Sequence, residues 1–596
     1  MNSIRFRTRL KLLALVGVCL LSVVVVTLHR VPPAVGYEIS VYQVYPWYMW
    51  VCLIGAVVVG QAIIIENIRH RGSQATFWPV GIGLLLAVNT ILLFIPFIRG
   101  YPIYGRADLL THIGLVRDLT QVGVDGSIYP PTHLLTYVLS HAMGTEPSAV
   151  VNLLSPVFSF VFFGGLWYTA VFVFEKRSMA LFCLPFLLIP IASSIHVDVA
   201  PYELSALYVP FVLYLFTSRD RTAAVPIRIA LVVSLIGLVL YHPLTAAFSI
   251  IVFGIYSGLE RLPMPDAERR SPTVVFSLTV VVFVTWYLTS VGVVRRFEFA
   301  IQSVLGQGTE DTQIDTYSET LSAYSPSILD LLTIGFYQYG IEAFLFPLAG
   351  GYLIFRVISW VRQGDQPSTT ELWFGGVFMC FAIISGVFFI TDLIASAQRP
   401  LLFAKIFAAF LGASLFYQLW QRVDDSRRRT VVSVSLGLVL IALATLTVLT
   451  IYPSTQATDT NHQVTEAEIE GTAWLFDNRD EELRIDEIGM RQYRFHHLHY
   501  GTIDTSETIR QEGTSPPFRF GYEENDTVGE SYAEDRYLIL TELGKRSYPE
   551  QFPSYREFWR YTPENFDQLE SDRSVSRVYA NGDFELYRLT GTQSEL

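Results

Sequence analysis

YPIYGRADLLTHIGLVRDLTQVGVDGSIYPPTHLLTYVLSH, residues 101–141, is the one long polar, ionisable interruption early in a chain otherwise made mostly of apolar runs of bilayer length. It gathers Arg106, Asp108, His112, Arg117, Asp118, Tyr129 and His133 directly after a hydrophobic stretch. A few residues suffice to connect two membrane helices, so a segment of this length and chemistry points to a reaction or a ligand at a membrane face.

Of the 596 residues, 51% are apolar, and mean hydropathy is positive. Several runs reach about 20 residues, the length that crosses a hydrocarbon core about 30 Å thick. Spanning helices are expected near 11–29, 47–66, 78–98, 149–174, 178–195, 201–217, 228–241, 243–258, 273–293, 341–360, 372–391, 400–420 and 431–451. The first run has basic residues ahead of it but no small-x-small cleavage pattern, so it reads as a retained signal anchor. The expected fold class is a polytopic α-helical membrane protein of about 13 transmembrane helices (residues 1–451), with external loops at 99–148 and 294–340. A small, acidic, soluble α/β extracytoplasmic domain (452–596) follows.

Arg and Lys in the short connections set the orientation. Arg5, Arg7, Arg9, Arg69, Arg71, Lys176, Arg177, Arg219, Arg221, Arg269, Arg270, Arg362 and Arg427 to Arg429 fall in one alternating set, read as cytoplasmic. The N-terminus is then inside. The 99–148 and 294–340 segments, His196 to Glu203, the Asp392 to Arg399 turn and the C-terminal domain are outside the cell membrane. The weakest point is Tyr241-His242-Pro243; one long helix there would invert everything downstream.

Past Tyr452 the composition changes, with 29 acidic against 14 basic side chains while the membrane part is slightly basic. Only four Lys occur in the whole chain, and an acidic, Lys-poor surface is what a salt-rich exterior favours. No basic face is present to hold nucleic acid. All four Cys (Cys19, Cys52, Cys183, Cys380) lie in apolar spans, so the tail has neither a disulfide framework nor a thiolate metal site. Within it, Thr465 with Glu468 forms a capping box before a helix, and Thr562-Pro563 starts another. Tyr537 to Leu543 and Val575 to Leu589 read as strands, the latter folded at Asn581-Gly582. Asn525-Asp526-Thr527 is an N-glycosylation acceptor triplet, usable only outside.

Asp108 and His112 are four apart in a helical stretch and share a face of an interfacial helix. A carboxylate there can take a proton from an acceptor hydroxyl, with the imidazole beside it holding substrate or a cation; a capped, solvated helix is the plain alternative. Tyr129-Pro130-Pro131-Thr132-His133 returns to the membrane as a rigid turn, leaving His133 to contact substrate or to snorkel. His196, Asp198 and Glu203 bring oxygen and imidazole ligands into one turn, a set suited to Mg or Mn. His242, before Pro243, is costly to bury without a partner. Arg399 before Pro400, with Lys405 about one and a half turns deeper, can clamp the phosphate of a lipid carrier or simply snorkel. The 294–340 loop, with Arg295, Arg296, Gly306, Gly308, Glu310 and Asp311, either orders on substrate or is a passive connection.

This layout resembles the GT-C superfamily of membrane glycosyltransferases. The shared features are many spans, an early external acidic residue (Gly105-Arg106-Ala107-Asp108, then His112), a tyrosine-proline re-entry (Tyr129-Pro130-Pro131), a late external Arg399-Pro400 and a soluble C-terminal domain ending in Val578 to Tyr587. About thirteen spans with an external C-terminal domain is similar to the oligosaccharyltransferase branch. Two departures stand out: the Trp-Trp-Asp-Tyr-Gly run of that branch is absent, and the family's first-loop acidic pair is here a single Asp108. The resemblance implies a polyprenyl-phosphate-linked sugar donor, an inverting transfer to a glycan or glycoprotein acceptor, Asp108 as base with His112, and Arg399 and Lys405 on the donor phosphate. Arg106, Tyr129, His133 and His242 are the expected substrate contacts. Haloarchaeal enzymes using dolichyl phosphate-linked sugars fit the acidic tail. A transporter or flippase of lipid-linked glycans is the rival reading, although the two halves of the membrane part show no repeat. A surface scaffold acting through its tail is the third.

Overall fold

A computed structural model describes residues 2–69, 77–123, 129–174, 176–219, 225–261, 272–290, 294–295, 298, 326–390, 396–423, 425–503, 509 and 513–592. The chain opens with helices α1 (Asn2–Arg30), α2 (Trp47–Arg69) and α3 (Trp78–Ile98). Strand β1 (Ile103–Tyr104) leads into α4 (Asp108–Val122) and α5 (Pro130–Met143). Helices α6 (Pro147–Val173), α7 (Arg177–Leu187), α8 (Pro201–Ser218), α9 (Val225–Tyr241), α10 (Pro243–Leu259), α11 (Pro272–Tyr287), α12 (Ile328–Gln363), α13 (Thr369–Ile390), α14 (Gln398–Arg422) and α15 (Ser426–Leu449) complete the apolar part. The tail holds β2 (Gln463–Val464), α16 (Glu466–Asn478), β3 (Arg484–Ile488), α17 (Gln492–Tyr500), β4 (Arg536–Thr541), α18 (Glu542–Gln551), α19 (Pro563–Ser571), β5 (Val575–Ala580) and β6 (Phe584–Leu589).

Among the described residues, eight helices are long and apolar enough to cross a membrane (α1, α2, α3, α6, α12, α13, α14 and α15), and α7, α9, α10 and α11 are shorter apolar helices. The chain is a multi-pass membrane protein with a small C-terminal α/β sheet region. Every expected span overlaps a helix, but the 178–195 expectation is too long: α7 stops at Leu187, two residues past Pro185, and the chain continues through a short 3-10 turn at Ser193–His196. The break at His242 is real, because the imidazole Nδ1 accepts from Leu244 N at 3.2 Å and caps α10.

The helices touch where small residues let backbones meet. A Cβ on Gly81 would lie 2.6 Å from the Gly60 carbonyl oxygen, joining α2 to α3, and one on Gly165 would lie 2.5 Å from the α8 backbone at Pro210. Helix α14 is almost wholly buried, and its sequence is apolar on all sides, as a central helix requires. Residues 328–340, expected as loop, are instead the first turns of α12, which rise to meet the tail: Tyr555 OH donates to Asp330 at 2.9 Å. Arg296, Gly306, Gly308, Glu310 and Asp311 lie outside the described residues, and Arg295 is exposed.

The tail sheet runs β3-β4-β6-β5, with β3 and β4 parallel and the other pairs antiparallel. Strands β4 and β6 are buried on both faces while β5 is largely exposed, so alternate side chains of β4 and β6 go to different cores. Leu538, Leu540, Tyr587 and Leu589 join a local cluster around Phe520, whereas Tyr537, Ile539, Phe584 and Leu586 join the same contiguous core as Leu109, Leu110 and Ile113 of α4 and the membrane helices. The capping boxes at Thr465 and Thr562 and the hairpin at Asn581-Gly582 form as the sequence indicates.

Candidate functional site

The site is built where the first loop meets the tail. Strands β1 and β2 pair antiparallel, Ile103 with Val464 and Tyr104 with Gln463. Arg106 then commits its guanidinium to the tail: Nη2 donates to both Glu468 oxygens (2.6 and 2.7 Å), Nε to the Gln463 carbonyl (2.9 Å) and Nη1 to the Gly489 carbonyl (3.3 Å). Expected as a substrate contact, Arg106 is occupied with joining the two segments. Farther along α4, a Cβ on Gly114 would sit 2.3 Å from the His497 carbonyl oxygen, so only glycine lets α17 lie this close. Asp118 is buried and accepts from Thr502 N and Oγ1 at 2.8 and 2.6 Å.

Between the Arg106 clamp and α4, Ala107 takes φ +55°, ψ −115°, a strained backbone for a residue with a Cβ. Strain of this kind costs on the order of 1–3 kcal/mol and persists only where the surroundings over-determine it. Here β1 pairing and the Arg106 contacts fix one side and the helix fixes the other, aiming Asp108. Its carboxylate is exposed and meets Arg494 Nη2 of α17 at 2.6 Å. One turn on, His112 Nδ1 lies 3.0 Å from His133 Nε2. Burial, with the nearby Arg494 charge second, lowers His112 to about 4, so the ring is neutral at pH 7.

From this pair a run of rings crosses the site. Tyr129 sits edge-on to His112 with centroids 6.2 Å apart and stacks on His242 at 5.4 Å; His242 meets Tyr202 edge-on at 5.4 Å. The Arg399 guanidinium lies over the Tyr202 ring at 4.5 Å, and Tyr202 OH donates to the Arg399 carbonyl at 3.0 Å. Beside Tyr202, Glu203 feels the charges of Asp198, Arg399 and Asp108, and its Oε2 has no hydrogen-bond partner among the described residues. Asp108, His112, His133, Tyr129, His242, Glu203, Asp198 and Arg399 therefore belong to one neighbourhood.

His196 does not. Its Nδ1 is 2.9 Å from Ser159 Oγ, its ring lies between Phe162 and Phe163, and it is fully buried. Asp198 turns instead to His462 Nδ1 at 3.1 Å. Burial acts to lower the His462 pKa, but the Asp198 charge and hydrogen bond, with Asp459, outweigh it and hold it raised. His196, Asp198 and Glu203 thus form no common ligand set, and no group of three metal-binding side chains occurs among the described residues. Lys405 is paired within the helices: its Nζ is 3.0 Å from Glu342 of α12, both side chains largely buried.

Sequence reading missed Arg494, His462, Tyr202 and Glu342. Tyr202 stood beside Glu203 in a turn already singled out, and Glu342 opens an expected span; neither Arg494 nor His462 carries a spacing signal.

No family model and no curated protein matches this chain. Among solved structures, ArnT from Cupriavidus metallidurans is similar in its apo state at 12% identity and a TM-score of 0.44, covering 85% of this chain and 97% of that one. The same enzyme bound to undecaprenyl phosphate gives 12% and 0.44, covering 87% and 99%. A likeness this loose carries no inference about fold or activity.

Proposed function

We propose that the chain is an inverting membrane glycosyltransferase that moves a sugar from a polyprenyl-phosphate carrier to a glycan or glycoprotein acceptor at the extracellular membrane face. The observation that carries this reading is the gathering of Asp108 and Arg399 around Glu203, with His112, His133, Tyr129, His242 and Tyr202 between them. In a single displacement the acceptor oxygen bonds to the sugar's anomeric carbon as the bond from that carbon to the carrier phosphate oxygen breaks. Asp108 takes the acceptor's hydroxyl proton, and the electron pair leaves on the phosphate, whose growing charge Arg399 stabilises. The half-buried guanidinium, held over Tyr202, is preorganised for that task. No step is routed through Mg or Mn, because His196 is buried against Ser159, Phe162 and Phe163 and Asp198 is paired with His462.

Transfer of labelled sugar from polyprenyl phosphate in membranes tests the reading. Asp108→Asn is expected to lower the rate about 10²- to 10⁴-fold while donor binding persists; unchanged transfer would overturn Asp108 as base.

One observation favours a second reading, a transporter or flippase of lipid-linked glycans. The buried Lys405–Glu342 pair joins α12 to α14 below the rim, and ionisable pairs inside a bundle commonly mark a passage. Movement of lipid-linked sugar across vesicles without any acceptor decides between the two.

A further inference from the structure

We infer that the cleft between α4 and the tail binds an oxyanion-bearing saccharide, a sugar acid or a sugar phosphate, through Arg491 and Arg494. The inference rests on the glycosyltransferase reading and names the acceptor class of that site.

The cleft measures about 330 Å³ and is lined by Leu110 of α4 and by Glu487, Met490, Arg491, Arg494 and Phe495 of the tail. That is the low end of the range for small-ligand pockets. Its walls divide by chemistry. Leu110, Met490 and Phe495 offer an apolar side suited to the C–H face of a sugar ring. Arg491, the extended residue that caps α17, and Arg494 in its first turn both line the cleft. Arg106 also borders the cleft, with four N–H contacts to Glu468, Gln463 and Gly489, so it chiefly shapes the wall.

The two guanidiniums differ. Arg491 is half-exposed and reaches Glu487 at 3.3 Å, a carboxylate already taken by Gln492 N at 2.7 Å. Arg494 gives Nη2 to Asp108 and Nη1 to Thr111 Oγ1 at 2.8 Å, and its buried Nε has no hydrogen-bond partner among the described residues. A buried charged donor left unmade is costly. An oxyanion in the cleft competes with Asp108 for the same guanidinium. Ligand binding thereby loosens the Asp108–Arg494 pair and frees the carboxylate for the acceptor hydroxyl.

Equilibrium binding of glucuronate, glucose 6-phosphate, glucose and inorganic phosphate to the full chain in detergent tests this without reference to transfer. Glucuronate or glucose 6-phosphate is expected to bind saturably, at least tenfold tighter than glucose and tighter than inorganic phosphate; which of the two leads identifies the source of the oxyanion. Arg491→Gln and Arg494→Gln each weaken binding tenfold or more, Arg494→Lys less, and Asp108→Asn tightens it several-fold because its competing carboxylate is gone. Equal binding of glucose, absence of binding, or wild-type binding in Arg491→Gln overturns the proposal. Should Asp108→Asn transfer sugar normally while the anion preference holds, the reaction reading fails and the binding site stands; the reverse pattern sinks only the binding site.

Discussion

Glu468 receives both of its guanidinium contacts from Nη2 of Arg106, a residue 362 positions earlier, while serving as the capping partner of Thr465. One carboxylate therefore starts α16 and anchors the first loop. Removing one member of a buried ion pair leaves the other uncompensated, at about 3–5 kcal/mol. Glu468→Gln is expected to expose the 101–123 segment and the tail to limited proteolysis while the apolar helices stay resistant. A digestion pattern like wild type would show that β1–β2 pairing suffices.

Arg399 offers a sharper kinetic signature. A planar guanidinium meets phosphate through two parallel hydrogen bonds, which a lysine ammonium cannot reproduce. Arg399→Lys is expected to recover little of the transfer lost in Arg399→Ala, with the loss carried mainly by the maximal rate, because phosphate charge grows in the transition state. Full recovery by lysine would reduce Arg399 to a headgroup contact.

Gly114 sets the distance between α4 and α17. Its substitution pushes a methyl into a backbone carbonyl that has no flexible end to yield. Gly114→Ala should cost about 1–3 kcal/mol, seen as a lower melting temperature. A melting temperature equal to wild type would mean the helices slide freely.

His112 makes stability depend on pH in a definite direction. Its folded value of about 4 lies below the ordinary 6.5, so the unfolded chain binds the proton more readily. The contribution is complete above about 6.5 and is lost as pH falls toward 4, amounting to roughly 3 kcal/mol at 1.36 kcal/mol per unit. Between pH 7 and 4 the melting temperature of wild type should therefore fall more steeply than that of His112→Phe, since carboxylate titration is common to both. Parallel curves would contradict a buried neutral imidazole.

The apolar helices were legible because bilayer-length runs leave few alternatives, and the capping boxes and the Asn581-Gly582 turn because those signals are local. The joining of loop to tail was not legible. Two-residue strands such as 103–104 and 463–464 carry no periodicity, and the partner of Arg106 is distant in sequence. Asp108, His112 and Arg399 were singled out by their place at span ends, yet Arg494, which meets Asp108, lies in a segment with three nearby histidines that gave no such cue. His196 misled because a ligand type in a promising turn also makes a good core residue between two phenylalanines. Lys405 misled because helical depth says nothing of which neighbour brings the countercharge.

The pairing of Ile103 with Val464 imposes a timetable on biosynthesis. The ribosome delivers Arg106 and Asp108 long before Glu468 and Arg494 exist, and contacts this distant in sequence form late. A nascent chain halted just short of β2 holds every apolar helix yet has no means of settling Ala107 into its strained turn. The seating of Asp108 against Arg494 thus waits for the tail, and a chain ending before β2 lacks it.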